Sequence, residues 1–488
     1  MRAVRPPAAP LATALLAAAL TAGFAVATPA QAAQPGVTQI SADPYTPANA
    51  PSGEHATEVE PDTFAFGSTI VSAFQTGRVF NGGATDIGWA TSSNGASSWT
   101  HGFLPGTSKE AMQPGPFFSV SDPSVAYDAR DGVWIISWLG AHFSGGGIVD
   151  VMVSRSIDGG LTWSAPVTVA ATGVFYDKNW TACDNSAGSP FYGHCYTEFD
   201  NASSGDLELM STSADGGLSW GTPTPTADNV HGLGGQPVVQ PNGRVVVPFE
   251  GFNGIRAFSA DDGGATWNAS VLISTRSAHR VPGVRTSALP SAETNRDGTV
   301  YVVWQDNRFE PGGTANDIVL STSADGTTWS PVSRIPLDPV GSNVDHFIPG
   351  IAVNPTSAGA QTQLALTYYF DTNPNCTGST CQIQVGFSSS LDNGQTWSTP
   401  QILTDPMQLA WLAPTTQGFM VGDYISTSFV AGQQRVVGSF AIGFAPSSDG
   451  LLNEPMYAGL EKIRGGVNRT RNSSVLFNGA AASPSTPF

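Results

Sequence analysis

The sequence predicts an all-β fold of repeated four-stranded units, a β-propeller of six or seven blades. Three observations carry that prediction. A nine-residue phrase recurs along the 488-residue chain, short alternating runs flank its copies, and the composition favours turns over helices. Gly 55 and Pro 36 are high while charged residues make up only 12%, which suits many tight turns between short strands.

The phrase is clearest as Ser-Ile-Asp-Gly-Gly-Leu-Thr-Trp-Ser, from Ser156 to Ser164. It returns at Ser213 to Gly221, Ala260 to Asn268, Ser323 to Ser330 and Ser390 to Ser398. A worn copy at Ser92 to Thr100 carries Asn94 in place of the aspartate. The closing tryptophans, Trp99, Trp163, Trp220, Trp267, Trp329 and Trp397, lie 47 to 68 residues apart, a period that marks a repeat array. Alternating runs beginning at Asp86, Asp150, Asp206 and Asp317 lead into the phrase, and another apolar run, such as that from Ala165, follows it. The phrase therefore reads as a hairpin loop between two antiparallel strands. Its glycines supply positive φ, its aspartate accepts turn amides, and its tryptophan pins the outgoing strand.

Two further strands precede each such hairpin, as at Asp122 and Gly132 or at Leu289 and Thr299. Four strands per unit make a blade. The boxed units begin near Glu60, Asp122, Asn179, Gln236, Leu289 and Phe347. Runs from Gly422, Arg435 and Glu454 lack the phrase. With the segment from Val37 they complete a seventh blade, the count preferred over six.

Residues 1–32 read as a signal peptide: Arg2 and Arg5, an apolar stretch from Leu11 to Ala27, then Ala30-Gln31-Ala32 for cleavage. Residues 33–54 hold the ring-closing strand, 55–464 the propeller, and 465–488 a mobile tail rich in Ser, Asn and Pro. A secreted protein in an oxidising compartment is expected to bridge its close cysteine pairs, Cys183 with Cys195 and Cys376 with Cys381, although four cysteines allow three connectivities. The formal net charge of -18 repels nucleic acid and anionic membranes. After the leader no run is long and apolar enough to span a membrane. A monomer acting on an extracellular glycan is the expected state. No cofactor is expected, although exported propellers can hold a structural calcium ion. P-loop, dinucleotide, Gly-x-Ser-x-Gly and His-Glu-x-x-His motifs are absent.

The repeated phrases resemble the Asp boxes, or BNR repeats, of the sialidase superfamily over roughly residues 55 to 462. The whole chain is similar to exported actinobacterial proteins called sialidase-like or exo-α-sialidase. That resemblance implies a site where the innermost strands open into a central funnel. It also implies arginines that clamp a substrate carboxylate, a tyrosine nucleophile with a glutamate base, and an aspartate acid/base. Carried onto this chain, the arginines are Arg78, Arg285 and Arg308, the acid/base Asp122, the nucleophile Tyr424 and the base Glu198 or Glu293. The Phe/Tyr-Arg-Ile-Pro stretch of sialidases is missing; the nearest wording is Gly-Arg-Val-Phe around Arg78.

Read from position alone, residues at the beginnings of inner strands face the funnel. They include Glu58, Glu60, Asp122, Asp177, Lys178, Gln236, Asp345, His346, Asp423 and Tyr424. Convergent carboxylates suit the acid/base chemistry of glycoside cleavage. Asp345-His346 and Asp423-Tyr424 each set an aspartate beside a ring, although strand neighbours face opposite ways unless a bend intervenes. The expected function is a secreted sialidase-type glycoside hydrolase that removes terminal, sialic or other acidic, sugars. The alternatives are a non-catalytic binding propeller, or a different polysaccharide hydrolase or lyase with an acidic funnel.

Overall fold

A computed structural model describes residues 36–466. The leader read at 1–32 and the tail beyond 466 lie outside the described residues. The fold is all-β: antiparallel sheets follow one another along the chain, and helix among the described residues is limited to five single 3-10 turns. The first sheet runs Glu54–Phe66, Thr69–Arg78, Ala84–Ser92 and Thr100–Phe103. The second, Ser119–Asp128, Val133–Ala141, Val149–Ser156 and Val167–Ala170, joins it through one pairing, Ala84 with Val120.

The third begins at Tyr176–Cys183 and continues through Cys195–Asn201, Leu207–Ser213 and Thr224–Pro225. In the fourth, Gly232–Leu233 and Val238–Val239 both pair with Val245–Gly251, followed by Gly254–Ala260 and Val271–Ser274. The fifth and sixth open with Ser291–Thr294 and Asp345–Val353. The last sheet takes Ser426–Phe429, Arg435–Ala441 and Met456–Lys462 from the C-terminal end, and its outer strand, Val37–Gln39, from the N-terminal end. A small ribbon, Ala413–Thr415 with Gly418–Met420, sits between the sixth and last sheets in sequence.

The first strands pack in sequence order, each on the next, and Ser426–Phe429 packs back on Glu54–Phe66. Side chains stitch these strands together. Asp62 Oδ2 accepts from the Val125 amide at 2.7 Å, Ser124 Oγ from Thr181 at 3.0 Å, Gln236 Oε1 from Ala292 at 3.0 Å and Ser291 Oγ from Ile351 at 3.1 Å. Thr427 Oγ1 donates to the Gly350 carbonyl at 2.9 Å, and Ser426 Oγ to that of Thr63 at 3.1 Å. First strands have no β partner on one edge, so these side chains satisfy backbone groups that would otherwise be buried unpaired.

Each tryptophan phrase forms the hairpin between the third and fourth strands of its sheet. In the second sheet Asp158 Oδ1 accepts from the amides of Leu161 and Thr162 at 3.1 and 3.0 Å, and Oδ2 from Thr162 Oγ1 at 2.6 Å. Ser156 Oγ receives the Gly160 amide at 2.9 Å. Gly160 has φ +80°, and a Cβ there would meet Val71 Cγ2 at 2.7 Å on the preceding sheet, so both conformation and space require glycine. The worn copy keeps the turn: Asn94 Oδ1 accepts from the Ser98 amide at 3.0 Å, and Ala96 takes the left-handed position at φ 66°. Replacing Asp158 by alanine removes four acceptor contacts on an exposed turn, the fourth from Ser156 Oγ at 2.7 Å, and is expected to cost about 1 kcal/mol, read from the urea unfolding midpoint.

Both disulfides are local: Cys183–Cys195 ties the first two strands of the third sheet, and Cys376–Cys381 closes a loop in the sixth. No helix among the described residues is long and apolar enough to cross a membrane.

Candidate active site

The first strands share a device near their beginnings. Glu60, Asp122, Lys178 and Ile348 adopt left-handed backbone, with φ of 54°, 50°, 51° and 48°. Each sits in a register shift of its strand: between Val59 and Asp62, Ser121 and Ser124, Asp177 and Trp180, and Phe347 and Gly350. An extra residue in a strand re-aims its side chain. Proline follows at positions 61, 123 and 349, where the bulge leaves no amide needed for the ladder. Holding bulky L-residues in this region costs about 1–3 kcal/mol each, and three of the four carry a charge.

The bulges bring those charges together. Lys178 Nζ lies 3.4 Å from Asp122 Oδ2 and 3.6 Å from Glu60 Oε1, and it donates to Asp423 Oδ2. Arg285, from the segment before the fifth sheet, donates through Nε to Asp423 Oδ1 at 2.8 Å and through Nη2 to Asp423 Oδ2. The Asp423 amide donates to Glu60 Oε1 at 3.2 Å, and Gln75 Nε2 donates to Glu60 Oε2. Asp122 Oδ2 has no hydrogen-bond partner. The cluster is nearly closed to solvent, with side-chain exposures of 1% for Glu60, 6% for Asp122 and Asp423, 9% for Lys178 and 19% for Arg285.

Burial pushes the Glu60 carboxyl up to about 8, with Asp122 adding to the shift and Lys178 opposing it. Burial acts the same way on Asp423, but Lys178 and Arg285 overcome it and hold this carboxyl well below the usual range. On Lys178, burial disfavours the charge, while Asp122, Asp423 and Glu60 outweigh it and keep the ammonium protonated. Adjacent carboxyls with opposite shifts are a mark of acid/base assignment.

Other expected site residues lie elsewhere. Arg78 is buried and close enough for its charge to be felt by Glu60 and Asp423, but its Nη1 donates to the carbonyls of Val79 and Gly83 and its Nε faces Met420 Sδ at 3.2 Å. Arg308 departs from the expected clamp: it pairs with Asp306, two residues away, and with Ser274 Oγ at 3.0 Å. It also donates to the Thr275 carbonyl, so the guanidinium is held between its own strand end and the end of the fourth sheet.

Tyr424 also departs from expectation. Its hydroxyl donates to the Pro123 carbonyl at 3.2 Å, its ring meets Trp180 edge-on at 5.0 Å, and burial with Glu60 and Asp122 raises the phenol well above its ordinary value. Neither expected base serves it. Glu198 is on the second strand of the third sheet, where burial, Glu208 and Asp200 push its carboxyl far up. Glu293 lies beside Asp62 in a cavity of about 380 Å³ lined by the first strands. Gln236 and Trp180 line both that cavity and a void of about 10 Å³ beside Lys178 and Tyr424, room for one water.

Asp345 accepts from Asn316 and from His279 Nδ1 at 2.7 Å, so it is engaged away from Lys178. His346 is buried against Tyr368 and Phe370, and burial pulls its imidazole down to about 4. Among the described residues, Asp317, Asp338 and His346 gather closely enough to suggest a cation. Arg334 already donates to both carboxylates there, so the donor set does not fit calcium. Lys178 and Glu60 were named from strand position alone; the sharper signal, a charged residue at a bulge before proline, was visible at Glu60-Pro61 and Asp122-Pro123.

Residues 132–347 match the family model described as BNR repeat-like domain, a span that includes four of the tryptophan hairpins. That stretch of the chain is BNR repeat-like. No curated protein sequence matches it. Solved structures similar to this chain include Hadza microbial sialidase Hz136, at 13% identity and TM-score 0.47, covering 85% of this chain and 67% of that one. Leech intramolecular trans-sialidase aligns at 12% identity and TM-score 0.44, covering 87% and 70%. A PL25 ulvan lyase aligns at 11% identity and TM-score 0.49, covering 90% and 98%.

The buried carboxyls of this chain give its stability a pH dependence. Glu58, Glu60 and Glu293 are each raised from 4.5 to about 8, burial being the main cause. Between those values the folded chain binds more protons than the unfolded one, so stability falls as pH rises. The melting temperature is expected to be higher at pH 5 than at pH 8.5. A flat or rising profile over that window would contradict the burial of these groups as neutral acids.

Proposed function

We propose that this chain is an exported glycoside-cleaving enzyme built on a seven-bladed β-propeller, with its acid/base site at Asp122, Glu60 and Lys178. The propeller reading is supported by the sequential packing of first strands, by the return of the last sheet onto the first, and by the outer strand supplied from Val37–Gln39. Export fits the two disulfides. The enzymatic reading rests on one observation above all: the same strained bulge in three successive sheets delivers Glu60, Asp122 and Lys178 to one point. Strain repeated at a convergence of charged groups is a functional signature.

In this reading Asp122 is the acid/base group, because its Oδ2 has no hydrogen-bond partner. Glu60 holds a proton beside it, and Lys178 with Arg285 stabilises charge that develops on the reacting oxygen. Tyr424 supports Trp180 in place of acting as nucleophile. The test is release of 4-methylumbelliferone from a panel of glycosides: an α-sialoside, a β-glucuronide, neutral hexosides and an N-acetylhexosaminide. Turnover on any member that is abolished by Asp122→Asn supports hydrolysis. Binding of glycans without turnover would leave a carbohydrate-binding propeller.

A further inference from the structure

Resting on that reading, we infer that Asp423 determines which sugars the site accepts: it occupies the cations that a sugar carboxylate would use, and so selects neutral sugars. The contact is a two-point one. Nε and Nη2 of Arg285 form one edge of the guanidinium fork, and both donate to the Asp423 carboxylate, whose Oδ2 also receives Lys178 Nζ. Paired N–H groups on one carboxylate are the geometry by which arginine recognises a ligand carboxylate. Here the recognised group belongs to the chain itself.

Asp423 is fixed in that position. Its amide donates to Glu60 Oε1 at 3.2 Å, and Gly422 before it has φ +140°. A Cβ on Gly422 would lie 2.9 Å from the Glu60 backbone, so the two segments touch. The nearby cations are also matched. Arg78 is committed to the Val79 and Gly83 carbonyls, and Arg276 pairs with Glu250 at 2.8 Å. A carboxylate arriving from solvent would add a further negative charge beside Asp122 and Asp423. A neutral sugar adds none.

The test compares sodium glucuronate with its methyl ester, which differ in the charge and one methyl group, and adds N-acetylneuraminate. Binding is followed by calorimetry on the full chain, in the wild type, Asp423→Asn and Asp423→Ala. The wild type is expected to show no saturable binding of the two acids, and each variant to bind them at least about tenfold tighter than the wild type. Wild-type binding of glucuronate at or above the affinity of its ester overturns the inference. So does a folded variant, judged by its melting transition, that gains no affinity for acids. Should both variants fail to fold, the wild-type comparison decides alone: binding of the ester without the acids supports the assignment, and any other pattern overturns it. No arm needs turnover, so a glycoside panel without hydrolysis would remove the enzymatic reading while the charge preference is still measured.

Discussion

Lys178→Met is expected to destabilise the chain by about 3–5 kcal/mol, the cost of removing one partner from a buried ion pair and leaving the other charged. Lys178 Nζ is the cation shared by Glu60, Asp122 and Asp423, all nearly sealed from water. Methionine keeps much of the side-chain length and removes the charge. Glu60 relieves part of the loss by holding its proton, since its carboxyl already stands near 8. Asp423 keeps Arg285. The remaining cost falls on the mutual repulsion of the carboxylates and is read from the shift of the urea midpoint. A double variant with Asp423→Asn should recover part of it, because contacting residues couple in such a cycle. A shift below about 0.5 kcal/mol for Lys178→Met, the size of an ordinary surface change, would mean the cluster is open to water and not the buried site described above.

Asp122→Asn is expected to lower kcat by about 10²–10⁴ on whichever glycoside is turned over, the usual contribution of a general acid/base. The substitution is isosteric, and the main-chain bulge at φ 50° tolerates asparagine better than most residues. Lys178 loses one of three carboxylates and keeps two. The melting temperature should therefore move far less than for Lys178→Met, and KM should stay within a few-fold. Loss of kcat with an intact fold assigns chemistry to Asp122. A variant with full activity would transfer the acid/base role to Glu60 or Asp423, or end the hydrolase reading if those variants are also active.

The repeat was legible because its parts are local. Asp158 and Gly160 act within a few residues of each other, and the backbone of one hairpin states both their conformation and their partners. The same holds for Cys183 with Cys195 and for the alternation that marks each strand. Arg308 shows the opposite limit. Its place in the repeat mirrors that of Arg78, yet one pairs within its own hairpin and the other lies buried near the cluster. Glu198 and Tyr424 matched the order of a known site but are turned to different neighbours by strand position.

By itself, then, the sequence determined the all-β class, the recurring hairpin with its tryptophan, the close cysteine pairs and the acidic residues at strand beginnings. Each depends on contacts within one short segment. Only the tertiary structure decided which of those acids meet. Glu60 and Asp423 are hundreds of residues apart, and their contact exists because the last sheet packs on the first. It also decided that Lys178 and Arg285 hold an aspartate of this chain, since a salt bridge between distant segments leaves no periodic trace along the sequence.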